Sequence, residues 1–316
     1  MTDTITDALR DVALGLFGPG SRINVIYLTT MILISLALYF GRGVKKPFFA
    51  WLFPKEMYRH PSHITDVKIF LITRALWGLG FFNLVYFATY FAITVGIFIK
   101  QQGLDILDLP MWVSVLLLFM ASDLVGYMIH RWHHENHIIW PFHAVHHSAE
   151  VMTPLTAYRI HPAYQLVSRF FRGAAIGIAQ GIVVGFVSAE ISITALVLSN
   201  VGYTVFNLLG SNLRHSHIWL SYGRVLDHIF VSPALHQIHH SIAPEHHNKN
   251  YGEVLAIWDW MFGTLYVPKT HEKLEYGLSD AKGNRIQQPH PNFKEAMLDP
   301  FRKSWRTIRR RFEKTE

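Results

Sequence analysis

Four stretches of the chain, residues 23–40, 75–99, 111–129 and 173–209, carry only two charged side chains between them, Asp123 and Glu190. A bilayer crossing takes roughly 20 apolar residues, so each stretch is long enough to be weighed as membrane helix. The chain as a whole is 50% hydrophobic and 16% charged, where soluble domains carry about 25% charged residues. The last stretch would run about 54 Å as one helix, nearly two short crossings, and a hairpin turning near residues 188–190 fits it better. The polar start with Asp3, Asp7 and Asp11 lacks the basic region of a cleaved signal, so the first stretch reads as a retained anchor.

The net charge of +7 is spread beside the apolar stretches and in the tail rather than along one aromatic-studded stripe, which argues against nucleic acid. Arg42, Lys45, Lys46, Lys55, Arg59 and Lys68 crowd the segment after the first stretch. The loop before Met111 sets Lys100 beside Asp105 and Asp108. The positive-inside rule then places residues 41–70 in the cytoplasm, the N-terminus outside, and His130 back at the cytoplasmic face. The expected fold is an all-α integral membrane protein of about four to five transmembrane or re-entrant helices under a cytoplasmic histidine-rich helical cap. Residues 1–110 are expected to form the anchor, 111–268 the membrane helices with the cap, and 269–316 a basic tail. That tail interleaves aromatic residues and cations from Phe301 to Phe312, as an interfacial amphipathic helix or a solvated basic tail would.

Histidine carries the chemistry. Of the 20 histidines, 16 lie between His130 and His247. The group His130-Arg131-Trp132-His133-His134 follows an apolar stretch and sets His130 and His134 on one helical face, able to hold one metal or two adjacent ones. His143-Ala144-Val145-His146-His147 and His236-Gln237-Ile238-His239-His240 repeat one HxxHH spacing, each expected to turn three imidazoles to a common point. Eight imidazoles exceed the need of one ion and suit two metals with open positions. With no cysteine in the chain, thiolate sites and iron–sulfur clusters are excluded. Glu135 forms no zinc-protease motif, because His134-Glu135-Asn136-His137 is one residue short of HExxH.

Residues 111–268 resemble the fatty acid hydroxylase / sterol desaturase superfamily. The likeness rests on Asp123 and Tyr127 leading into the first histidine group, on the two HxxHH groups, and on Ser232-Pro233, Asn248-Lys249-Asn250-Tyr251-Gly252 and Trp258-Asp259-Trp260 through Phe262-Gly263-Thr264. It implies two iron ions held by histidine, O₂ as co-substrate, and a lipid substrate reaching the site from the bilayer. No haem, flavin or iron–sulfur domain is recognisable in the sequence, so a separate electron donor is implied. It also implies further ligands between the groups: His215 by preference, with His161 either an extra ligand or a substrate-facing group. His217 and His228 are expected in ordinary hydrogen bonds. Asp123, Tyr127, Arg131, Asn250 and Asp259 are candidates to support the ligands. Asp123 would either orient an imidazole or pair with Arg131. Imidazole accepts zinc as well as iron, so a histidine-rich zinc transporter and a non-redox zinc protein stand as alternatives. Which lipid is used, and the oligomeric state, are not legible.

Overall fold

The computed structural model describes residues 21–81, 85–187 and 193–313; the expected turn at 188–190, Asp3, Asp7 and Asp11 lie outside them. Among the described residues every regular element is helical, and extended segments meet only in isolated bridges such as Leu107 with Val187. The longer helices are α1 (Val25–Gly41), α2 (Pro61–Gly78), α3 (Val85–Gln101), α4 (Met111–Glu135), α5 (Trp140–His147), α6 (Pro162–Phe186) and α7 (Ile193–Leu208). Short helices α8 (Ser211–Arg214), α9 (Pro233–His239) and α10 (Ile257–Met261) follow within a loop-rich cap, and α11 (Phe293–Phe312) runs across it.

Two of these, α4 and α6, are long and apolar enough to cross a bilayer; α1 and residues 87–101 of α3 are apolar but shorter. The stretch 75–99 is not one continuous helix. The α2 helix ends at Gly78, and Gly80 at φ 80° turns the chain before α3 starts. A glycine tolerates this left-handed conformation, which stops helix propagation.

Between α3 and α6 the backbones nearly touch. A Cβ on Gly177 would lie 2.3 Å from the Ala88 carbonyl oxygen, and one on Gly181 would lie 2.8 Å from that of Ala92. Gly177, Gly181 and Gly185 recur every fourth residue, the small-residue spacing that lets membrane helices pack closely where water supplies no hydrophobic drive. Gln180 on the same helix donates to Ser122 of α4 at 3.0 Å. Outward faces stay apolar, with Ile97 and Phe98 of α3, Leu116 of α4, Ile182 of α6 and Val201 of α7 exposed. Such a surface fits lipid rather than water.

The cap is tied down by one buried cation. Arg159 Nε donates to the Val145 carbonyl at 2.7 Å, Nη1 to Asp66 at 2.7 Å and Nη2 to Ser148 Oγ at 3.0 Å, with Arg159 and Asp66 fully buried. This joins α5 to α2, so the helix bearing the second histidine group is clamped from behind.

Candidate metal centre

Three helix ends meet under the cap. The α4 helix delivers His130 and His134 in its last turns, α5 carries His143, His146 and His147, and α9 carries His236 and His239 with His240 as its C-cap. His215 follows the short α8, which Gly210 introduces at φ 117°. Ser232 caps α9 through its side chain and Pro233 opens its first turn, so the register of that group is set by local chemistry.

The nine imidazoles form two groups. His130, His134, His143, His147 and His239 make one, and His146, His215, His236 and His240 the other; within each, the nitrogens lie within 4.8 Å of one another. The two HxxHH motifs thus do not each converge on one point. His143 and His147 go to the first group and His146 to the second, while His236 and His240 go to the second and His239 to the first. The reason is angular. At about 100° per residue, i and i+4 differ by roughly 40° on the helix, whereas i+3 lies on the other side of i. Each motif therefore bridges both groups, and His147 and His240 stack across the divide with ring centroids 4.4 Å apart.

The geometry suits cations. The Nε2 atoms of His134 and His143 lie 3.1 Å apart, those of His143 and His147 3.2 Å, those of His146 and His215 3.3 Å, and those of His215 and His236 3.1 Å. With metal–nitrogen bonds of about 2.0–2.1 Å, the edge of a four- to six-coordinate polyhedron is roughly 2.8–3.4 Å. His239 Nε2 is buried without a hydrogen-bond partner, an arrangement costly for a polar nitrogen unless something binds it. Burial first, and neighbouring imidazoles next, hold His143, His147, His215, His236 and His240 well below the ordinary histidine pKa, and His146 falls to about 3 chiefly through burial. They are neutral, the form that binds metal.

Orientation comes from backbone carbonyls rather than carboxylates. His130 Nδ1 donates to the Tyr251 carbonyl at 2.7 Å and His239 Nδ1 to that of Lys249 at 2.8 Å. Asn248 and Asn250 both take φ 58°, a conformation asparagine tolerates, and so curl this loop to aim its carbonyls at the site. Asn250 Nδ2 ties the loop to the Leu235 carbonyl at 3.1 Å. Asp259 accepts from the amides of Tyr251 at 2.8 Å and Gly252 at 2.7 Å, one step behind the His130 acceptor. A Cβ on Gly252 would lie 2.8 Å from that carboxylate.

Asp123 neither orients an imidazole nor pairs with Arg131. It accepts from Tyr203 at 3.0 Å, from the Leu255 amide at 2.9 Å and from Trp258 Nε1 at 3.0 Å, fastening α4 to α7 and the cap. Arg131 pairs with Glu135 at 2.7 Å, and Tyr127 bonds Thr264 at 2.9 Å. His161 lies in neither group: its Nδ1 caps α6 through the Ala163 amide and its Nε2 donates to the Met297 carbonyl at 3.0 Å. His217 and His228 bond the Trp51 and Arg224 carbonyls.

Cavities open on both sides of the histidine layer. One of about 330 Å³ is walled by the ends of α4, α6 and α7 and reaches His130, His143, His146, His215 and His236. In it Arg172 of α6 pairs with Glu253, in space that Gly126 of α4 leaves free. His133 bonds Tyr164 at its edge. Neither the Arg172–Glu253 pair nor Tyr164 belongs to a motif, and 81 residues separate Arg172 from its partner. The charge of Arg172 immediately before the apolar stretch 173–209 is the one signal that marks it, and Arg169 shares that signal. The second cavity, of about 200 Å³, is lined from the cap and reaches His134, His147, His239 and His240.

Residues 115–264, which contain all nine histidines, match the family model described as fatty acid hydroxylase. That stretch is a fatty acid hydroxylase domain. Among similar proteins, ornithine lipid hydroxylase of Rhizobium tropici is 31% identical over 58% of this chain and 51% of its own. Alkylglycerol monooxygenase of Danio rerio is 33% identical over 56% of this chain and 36% of its own. Very-long-chain aldehyde decarbonylase of Arabidopsis thaliana is 24% identical over 50% of this chain and 25% of its own. The alignments thus span about half of the first of these relatives and less of the others. No solved structure matches the chain.

Proposed function

We propose that the protein is a multi-pass membrane di-iron oxygenase that hydroxylates, or by a close variant desaturates, a lipid using O₂ and external electrons. The observation that carries this reading is the division of nine imidazoles into two adjacent groups beside a cavity walled by membrane-helix ends. Residues 111–268 are the catalytic unit, and the site faces the cytoplasm.

His130, His134, His143, His147 and His239 would hold one ion, and His146, His215, His236 and His240 the other. Bound iron supplies the activation of O₂ that lets one oxygen atom enter a C–H bond, the other leaving as water with two electrons and two protons. The protein's own part is positioning. Tyr251 and Lys249 carbonyls fix the imidazole planes of His130 and His239, as partners beyond the ligands commonly do. Arg172, Glu253 and Arg214 give the cavity a charged lining beside Ile129 and Ile160. That lining fits the polar end of an amphiphile, with the reacting carbon near the headgroup. Ionisable residues at membrane helices are kept mainly for function.

The test is anaerobic purification in detergent with metal analysis, then ¹⁸O₂ incubation with host lipid extract and mass spectrometry. Two irons per chain and a singly labelled hydroxy-lipid are expected. Zinc in place of iron with no label, or full activity in a His146→Ala/His239→Ala double variant, overturns the reading.

A further inference from the structure

A groove of about 530 Å³ runs between α11 and the start of α5, lined by His137, Trp140, Lys303, Arg306, Arg310 and Arg311. It contributes nothing to the histidine layer directly, yet its Trp140 also lines the cap-side cavity. The Trp140 ring centroid lies 5.0 Å from that of His134 and 5.6 Å from that of His147. One aromatic side chain therefore spans from a cationic surface to two of the imidazoles of the first group.

The position of the cations on α11 separates two sources of negative charge. Phe301, Trp305 and Phe312 are exposed along one side of the helix, while Lys303, Arg306 and Arg310 line the groove on the other. At 100° per residue Lys303 and Arg310 stand roughly 140–160° from Trp305. An amphipathic helix buries its aromatic stripe at the lipid interface, so the groove cations look away from the bilayer. Phospholipid headgroups would meet the stripe, and a soluble acidic partner would meet the groove.

We infer that this groove docks a small acidic one-electron carrier protein, and that Trp140 is the side chain through which electrons pass to the metal site. The inference rests on reading the site as a redox centre. Each turnover oxidises two carrier molecules by one electron each, and these two electrons, with two protons from water, reduce the oxygen atom that leaves as water. Complementary charge steers such an encounter and makes it salt-sensitive.

The experiment uses the full chain in zwitterionic nanodiscs with plant-type [2Fe–2S] ferredoxin as the acidic probe. Three quantities are read: ferredoxin binding to the metal-free chain, anaerobic oxidation of reduced ferredoxin by the iron-loaded chain, and reduction of the same iron by dithionite. Binding is expected to weaken with salt, and an Arg306→Glu/Arg310→Glu variant to lose about tenfold or more in affinity. At saturating ferredoxin, Trp140→Leu should oxidise it about tenfold more slowly or worse than the parent, with Trp140→Phe recovering part of the rate and metal content matched in all three.

Absence of ferredoxin binding, or binding untouched by the charge reversal, overturns the docking surface. So does a charge reversal that weakens adhesion to phosphatidylglycerol vesicles and leaves ferredoxin unaffected. Equal transfer rates in Trp140→Leu overturn the path. If dithionite fails to reduce the bound metal, the redox reading of the site falls, while the metal-free binding measurement still judges the groove.

Discussion

At the scale of single residues, the centre is a set of neutral imidazoles, and that has a consequence for pH. Folding holds these histidines below the ordinary value of 6.5, with His146 at about 3. As pH falls, the unfolded chain takes up protons first. The stability of the metal-free protein is therefore full above about pH 6.5 and is lost progressively as pH falls toward the folded values. Melting of chelator-treated protein in detergent, followed downward from about pH 8, should show a falling midpoint; a flat or rising one would contradict the burial described. His239→Ala should weaken retention of one of the two ions, measured by elemental analysis after dialysis against a chelator, because it takes one ligand from the five-imidazole group and leaves the other group intact. Eight of the nine ligand candidates are legible from spacing, and His215 only through the family resemblance. Their allotment is not, because i+3 and i+4 look equivalent on paper and part company only when a second helix faces them. Asp123 misleads for a related reason: it lies on the helical stripe that leads to His130, but the backbone amide of Leu255 and the Trp258 indole reach it instead.

At the scale of elements, two contacts hold the scaffold to the site. The Asp66–Arg159 pair sits behind α5 with both side chains fully buried. Removing one partner of such a pair costs about 3–5 kcal/mol, because the other charge is left uncompensated. Asp66→Leu should therefore destabilise the cap and reduce metal retention, read by melting and metal analysis of the same sample; retention equal to the parent's would show that α5 is positioned without the clamp. The α3–α6 contact is the second. Gly181→Leu must force the helices apart, since even a Cβ would meet the Ala92 carbonyl oxygen at 2.8 Å. A loss of at least about 1–3 kcal/mol is expected, seen as a lower melting temperature in detergent. The apolar stretches announce helices, but they hide this contact: a run such as Gly173 to Gly185 is as hydrophobic as its neighbours, and only the partner helix makes the missing side chains matter. The break near Gly80 is legible in hindsight from one glycine inside an apolar run, a signal too common to divide a stretch by itself.

At the scale of the whole molecule, the ends of the long helices and the loop-rich cap approach the histidine layer through different cavities. Cysteine substitutions at Asp105 and Lys55, labelled in sealed vesicles with a membrane-impermeant thiol reagent, should react from opposite sides if the loops lie as their charges predict; labelling from the same side would overturn that topology. Removing the Arg172 charge from the 330 Å³ cavity tests the proposed substrate. Arg172→Leu should leave iron content near that of the parent while lowering the yield of hydroxylated lipid about tenfold or more, because the Glu253 carboxylate is then unpaired where the polar end is to bind. The paired cavities carry a last consequence. Because the imidazoles stand between the 330 Å³ chamber and the 200 Å³ one, the layer would work, on the proposed function, as a bulkhead: oily cargo berthing on one deck while small polar traffic uses the other, with no queue for a shared doorway.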